Sequence, residues 1–340
     1  MPPRQRPRSS AAAAARMEDV ARAAGVSMIT VSRALNAPDK LAAATLARVR
    51  AAIDSLRYVP NLTAGSLASR RSRIVAAIVP TIANSIFSET VDGLAQALAP
   101  RGYQLLLGQT HYRADEEAAL VDAFLGRRVD GIVLTGLAHA RGVRAGLQRA
   151  GVPVVETWDL GPRPIDMLVG FSNAAAGEAA ARYLAGKGYG PLGFVGGDDD
   201  RSAARLAGFR AGAKACRLGD IAVATVTSPS TLDEGAAALA ALMQRADPPR
   251  AVFCTNDMLA AGAVFECRRR RIAVPAKVAV MGFADLPIAA GMEPALTTIQ
   301  VRSGEMGQRV GAMLLRRLDG LAPEQRIVDV GFAVVERASA

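Results

Sequence analysis

Apolar residues recur at helical spacing from Met17 to Leu56, where Val20, Ala24, Val26, Val31, Leu35, Leu46, Val49, Ile53 and Leu56 fit one small core. Breaks at Gly25, at Asn36-Ala37-Pro38 and at Tyr58-Val59-Pro60 divide this stretch into three short helices. After Arg73 the pattern changes. Buried-strand runs cover 74–80, 103–108, 130–135 and 152–156, separated by helical stretches at 85–99, 114–126 and 140–150. A second series opens at 168–171 and continues through 191–197, 222–227, 251–255 and 277–283, with helices over 173–187, 201–216, 232–245 and 257–270. Strands alternating with helices predict parallel βαβ units with right-handed crossovers. Two such series predict two α/β lobes. The remaining strand (296–301), helix (303–318) and apolar run (326–335) are long enough to cross back and complete one or both sheets.

The predicted class is therefore α/β, with an N-terminal all-α helix-turn-helix domain ahead of a two-lobed body of parallel-sheet α/β lobes. Residues 1–15, where Arg alternates with Pro, read as a disordered basic tail. Residues 16–60 read as the helical module, 61–73 as a short helix and linker, and 74–340 as the body. Open parallel sheets bind ligands beyond the carboxyl ends of their strands, so a cleft between the lobes is the expected small-molecule site.

Charge sharpens this division. Residues 1–73 carry 13 Arg and Lys against 4 Asp and Glu, a net of +9, whereas the rest carries 28 against 27. A basic module on a nearly neutral body suits a nucleic-acid binder with a second task. The bland alternative is a solubilising tail on a sugar-binding or sensing protein. The three cysteines, Cys216, Cys254 and Cys267, form no close-spaced set. Without a secretory signal pattern they read as reduced thiols of a cytoplasmic protein. The chain has no apolar run of transmembrane length, so no membrane partner is expected.

Within the basic module, MEDVARAAGVSMITVSRALN (17–36) reads as helix, tight turn, helix. Gly25 ends the first helix, and Ser27 stands where an N-cap is wanted. Ser27, Met28, Ile29, Thr30, Ser32 and Arg33 then lie on or near the outward face of the second helix at its N-terminal end. Free N–H groups, hydroxyls and an Arg at a helix start suit entry into the DNA major groove. In 58–73, Asn61 is a good N-cap for a two-turn helix through Ser69. Gly65 lowers its propensity by roughly 1 kcal/mol relative to Ala, so it should form only when docked.

These residues, with Tyr58-Val59-Pro60-Asn61, Leu67-Ala68-Ser69 and two α/β lobes, resemble the lactose-repressor (LacI) family of bacterial transcription regulators over residues 16–337. The resemblance implies a body like the periplasmic binding proteins, used for effector binding and dimerisation. It also implies a homodimer, a repressor on a pseudo-palindromic double-stranded operator, and a hinge helix over 61–69 in the minor groove. Leu67 matches the wedge leucine and Arg33 the recognition-helix Arg, while Met28 and Ile29 occupy the base-reading positions. Arg70 and Arg71 are expected on phosphate. Within the family, VFCTNDMLAAGAVFEC (252–267) and GFADLP (282–287) look most like the gluconate-utilisation repressors. Three departures stand out: Arg16 replaces a Thr cap, Leu41-Ala42 replaces a Val-Ser cap, and Gly65 replaces a residue with a side chain. All three predict a DNA-binding module that is loose when free.

For the cleft, the resemblance makes Arg205 the arginine that holds an effector hydroxyl or carboxylate, and Asn256 an effector-contacting amide. Asp285 follows a strand, Asn84 and Phe87 follow the first strand, and Trp158, the only tryptophan, could stack on a sugar or serve as a local anchor. Ala284 stands where sugar binders of the family carry an acid. An arginine fork without an acidic neighbour suits a sugar acid such as gluconate. Glu156 and Asp159 argue the other way unless they face hydroxyls.

Catalysis finds little support. No G-x-G-x-x-G, G-x-x-x-x-G-K-[ST] or G-x-S-x-G pattern is present, His111 and His139 are far apart, and no metal-ligand spacing occurs. The chain is read as a non-enzyme without metal or cofactor.

Overall fold

The computed structural model describes residues 15–59, 71–83 and 85–340. The chain divides between Arg70 and Arg71 into two compact units.

The first unit holds helices α1 (Met17–Ala24), α2 (Met28–Asn36) and α3 (Ala43–Leu56), with a 3-10 turn at Pro38–Lys40. Val20, Ala21, Ala24, Val31, Ala34, Val49, Ala52 and Tyr58 form its core. Gly25 leaves α1 at φ +64°, a left-handed conformation that lets the chain turn sharply into α2. Ser27 caps α2, its hydroxyl accepting the Thr30 N–H at 3.2 Å. Arg16 offers α1 no acceptor, yet the Asp19 carboxylate accepts the Arg16 backbone N–H at 2.9 Å, which keeps half of a capping box. Ala42 leaves α3 without a side-chain cap.

The second unit contains two six-stranded sheets. The first has the order β11-β5-β4-β3-β1-β2 and is wholly parallel. It comprises β1 (Ile74–Val79), β2 (Gln104–Gln109), β3 (Gly131–Thr135), β4 (Val154–Thr157), β5 (Met167–Gly170) and β11 (Ile327–Asp329). The second has the order β12-β10-β9-β8-β6-β7 and is parallel except for its edge strand β12. Its strands are β6 (Leu192–Gly197), β7 (Ala222–Val226), β8 (Ala251–Cys254), β9 (Ala279–Ala284), β10 (Thr297–Val301) and β12 (Phe332–Val335).

One assignment from the sequence needs correction. The run 168–171, expected to open the second lobe, is β5 and pairs with β4 in the first sheet, Thr157 opposite Val169. Only after it does the chain cross over, into α7 (Asn173–Gly186), which packs on α8 (Asp200–Ala215) of the second lobe. An apolar strand carries no local mark of the sheet it joins; its pairing partner decides. The second crossing follows β10, where α12 (Ser303–Leu318) packs on α4 (Ser88–Leu98) of the first lobe. The third lies between β11 and β12, so the apolar run 326–335 splits and completes both sheets.

Helices α7 and α8 approach closely because both carry glycine at the crossing. A Cβ on Gly208 would lie 1.8 Å from the Ala174 carbonyl oxygen, and one on Gly177 would lie 2.0 Å from that of Arg205. This backbone contact fixes the helix that bears Arg201 and Arg205. Beneath the cleft, Phe87, Trp158, Phe171 and Phe283 form a chain of ring contacts at 5.0, 6.0 and 5.9 Å, running from the first lobe to the second.

Candidate functional site

In the first unit the start of α2 presents Met28 and Ile29 to solvent, 49% and 71% exposed, with Arg33 exposed one turn on. Thr30 is half-buried, and its hydroxyl lies 3.0 Å from that of Ser27. Ser32 is also half-buried. Apolar side chains left this open beside a capped helix start suit contact with base edges and thymine methyls. Asn61, Leu67, Arg70 and Asn84 lie outside the described residues. Arg71 departs from the phosphate expectation, since its guanidinium donates to the Leu318 carbonyl at the end of α12.

In the second unit the carboxyl ends of strands from both sheets face one cleft. Its outer part is a cavity of about 510 Å³ reached by Thr110, Tyr112, Thr135, Asp159 and Asp198 among others. An inner pocket of about 20 Å³ is lined by Phe87, Trp158, Arg205, Asn256 and Ser230, among others. Tyr112, Asp199, Arg201 and Ser228 line both. Four of the residues singled out in the sequence, Phe87, Trp158, Arg205 and Asn256, are thus brought together.

Arg205 is 5% exposed. Its Nη1 donates to Asn173 Oδ1, its guanidinium sits 4.4 Å from the Phe283 ring centroid, and its Nε has no partner. Burial pushes its pKa down to about 10, opposed by the nearby Asp199 charge. Asn256 caps α10 (Asp257–Arg269): its Oδ1 accepts the Leu259 N–H at 2.8 Å and its Nδ2 donates to Ser230 Oγ at 2.7 Å. One amide hydrogen remains for a ligand. The neighbouring Asp257 clamps this helix start, accepting from the Leu286 N–H and the Thr298 hydroxyl, both at 2.6 Å. Its burial raises the carboxyl pKa to about 7.

Other candidates take different places. Trp158 is 2% exposed, held edge-on between Phe87 and Phe171, and its Nε1 donates to Thr90 Oγ1 at 3.1 Å. It anchors the pocket and offers no open face for stacking. Asp285 lines neither cavity; it pairs with Arg337 at 2.7 Å and accepts from Gln300 at 2.9 Å. Glu156 is fully buried and bound to His139, which bridges it to Glu117 at 3.0 and 2.8 Å. It is thereby withdrawn from the ligand.

Arg201, Tyr112 and Asp199 were not singled out from the sequence. Arg201 precedes Arg205 by one helical turn, so both share a face of α8, a signal visible in the spacing. Three cleft residues also hold left-handed backbone: His111, Tyr112 and Trp158 have φ of +53°, +63° and +66°. Such strain clusters at ligand clamps.

Among the described residues, no group of three or more His, Cys, Asp or Glu side chains could hold a metal ion, and no helix is long and apolar enough to cross a membrane. Cys254 and Cys267 are buried, and burial raises the Cys267 thiol pKa to about 12, as expected for inert packing residues.

Comparison with known proteins agrees with this arrangement. Residues 16–61 match the family described as bacterial regulatory proteins, lacI family, and residues 181–340 match the periplasmic binding protein-like domain. The HTH-type transcriptional regulator GntR of Pseudomonas aeruginosa is 35% identical over 325 residues, 95% of each chain. A LacI-family transcriptional regulator from Silicibacter pomeroyi superposes with a TM-score of 0.89 at 31% identity, over 96% of this chain and 99% of that one. The transcription regulator GntR from Chromobacterium violaceum gives 0.75 at 36% identity, over 78% of this chain and 98% of that one. A helix-turn-helix followed by two α/β lobes, shared with such relatives across nearly the whole length, places this chain in the LacI family of bacterial regulatory proteins, which are transcriptional regulators and not enzymes.

Proposed function

We propose that the protein is a cytoplasmic homodimeric repressor of the gluconate-utilisation branch, reading a pseudo-palindromic operator and controlled by a sugar acid such as gluconate. Ser27, Met28, Ile29, Thr30, Ser32 and Arg33 form the reading surface, and two copies match a two-fold site. The effector lies between the lobes, with its carboxylate on Arg205 and a hydroxyl on Asn256. The observation that carries this reading is Arg205 itself: a guanidinium 5% exposed, with an unpartnered Nε, lining a pocket at the strand ends. A buried cation without a carboxylate partner is costly, and an anionic ligand removes that cost.

Moving an operator-competent fraction from 99% to 1% requires roughly 5.5 kcal/mol of differential binding. Several charge-assisted hydrogen bonds of about 1.5–3 kcal/mol each supply it. A thermal-shift screen against neutral sugars, sugar acids, sugar phosphates and purine nucleosides tests the effector class. The active class is then carried into gel shifts on DNA selected by the protein from random sequence. Stabilisation by a purine nucleoside or neutral pentose, and by no sugar acid, overturns the assignment.

A further inference from the structure

The cleft is electrically graded along its length. The charged side chains lining the inner pocket are Arg201, Arg205 and Asp199. Asp199 is largely committed to capping α8, where its Oδ1 accepts the N–H groups of Arg201 and Ser202 at 3.2 Å each. It lies 3.8 Å from the Arg201 guanidinium. The pocket therefore holds one positive charge more than it compensates, and the two guanidinium groups repel each other. Arg201, 9% exposed, reaches from the second lobe across to the first, 5.6 Å from the Phe87 ring centroid, 5.9 Å from that of Tyr112 and against Gly136. The outer cavity has the opposite sign: Asp159, Asp198, Asp200 and Glu117 line it beside the shared Asp199, against the shared Arg201, Arg113, which is paired with Asp115, and His139, which is held between Glu117 and Glu156.

Building on the effector reading above, we propose that Arg201 is a second specificity-determining residue, closing with Arg205 on one carboxylate. The site then selects a sugar monocarboxylate whose far end is an uncharged polyol. One surplus positive charge at the inner end matches one carboxylate. The carboxylates at the outer end accept hydrogen bonds from ligand hydroxyls and repel a phosphate. An ω-phosphorylated sugar acid would place its second anion beside Asp198 and Asp200, and like charges so placed repel. Because Arg201 spans the lobes, the carboxylate also bridges them, so recognition and closure become one event.

Isothermal titration of the full-length protein with D-gluconate, D-glucose and 6-phosphogluconate tests this. Gluconate is expected to bind, with 6-phosphogluconate about 100-fold weaker. Arg201→Gln should weaken gluconate about tenfold or more, and Arg201→Lys, which keeps the charge and loses the fork, by less. The Asp198→Asn/Asp200→Asn double variant should narrow the gap between the two acids. The inference is overturned if wild-type protein binds both acids within about tenfold of each other, or if folded Arg201 variants bind gluconate as the wild type does. Those results leave the sugar-acid effector standing. A wild type that binds glucose and neither acid overturns the effector reading as well. Should Arg201→Gln fail to fold, Arg201→Lys and the wild-type ratio still decide.

Discussion

Arg205 Nη1 donates to Asn173 Oδ1 at 2.5 Å, and Asn173 is the first residue of the helix by which the chain first leaves one lobe for the other. The same amide donates through Nδ2 to the Trp158 carbonyl at 2.9 Å and to Asp159 Oδ1 at 3.1 Å. A single buried asparagine thus joins the candidate effector arginine to the end of β4 in the opposite lobe. Whatever moves Arg205 is felt at the crossing.

Asn173→Ala removes three hydrogen bonds at once and leaves Arg205 Nη1 buried without its acceptor. Unfolding in urea should show a loss of about 2 kcal/mol or more. A smaller ligand-induced change in operator affinity should accompany it. An unchanged midpoint would show that the network carries no weight.

His139, held between Glu117 and Glu156, has its pKa raised from 6.5 to about 9; burial opposes the rise, and the two carboxylates outweigh it. The folded state therefore binds this proton more tightly than the unfolded chain. The stabilisation is complete below about pH 6.5 and is lost as pH rises through about 9. Its upper limit is about 3 kcal/mol. Melting curves of wild type and His139→Gln should differ most near pH 6 and converge toward pH 10; a constant difference contradicts the assignment.

Gly208→Ala forces a methyl group into the Ala174 carbonyl, 1.8 Å away, and the crossing of α7 and α8 must open. Thermal unfolding should show a loss of about 1–3 kcal/mol. Weaker sugar-acid binding is expected too, because α8 carries both arginines. Gly219→Ala, where nothing lies within 4 Å, is the control and should be nearly neutral.

Ala284 is held at φ +106°, where a Cβ is strained. Ala284→Gly relieves strain of about 1–3 kcal/mol, against roughly 0.4–1 kcal/mol of added chain entropy in the unfolded state. Calorimetry should register a net gain of stability, and a loss would show that the methyl packs favourably enough to outweigh its backbone.

Ala42 stands at the start of α3 with extended backbone and no side-chain acceptor. Ala42→Ser should stabilise the helical unit by about 1 kcal/mol, and Ser27→Ala should destabilise it by a similar amount. Amide hydrogen exchange within residues 17–56 reads both changes directly.

Local physics made much of this molecule readable in advance. Helical spacing marks α1 to α3, a hydroxyl at Ser27 marks a helix start, and apolar runs between helical stretches mark the strands. The alternation of strands and helices also implies that Phe87, Trp158, Arg205 and Asn256, each just beyond a strand, approach a common cleft, because strand ends of parallel sheets share a side. Each of these signals lies within a few residues along the chain.

The remainder depended on partners far away in sequence. Strand β5 belongs to the first sheet because it pairs with β4 and β11, the latter more than 150 residues on. Asp285 leaves the cleft because Arg337 neutralises it, and Glu156 is withdrawn because His139 and Glu117 meet it from other elements. Arg201 becomes a cleft residue because folding lays it across Phe87 and Tyr112 of the other lobe. A charged side chain looks alike in sequence whether it faces solvent, a buried counter-charge or a ligand. Only the packed arrangement of the elements fixes its dielectric surroundings and its partner.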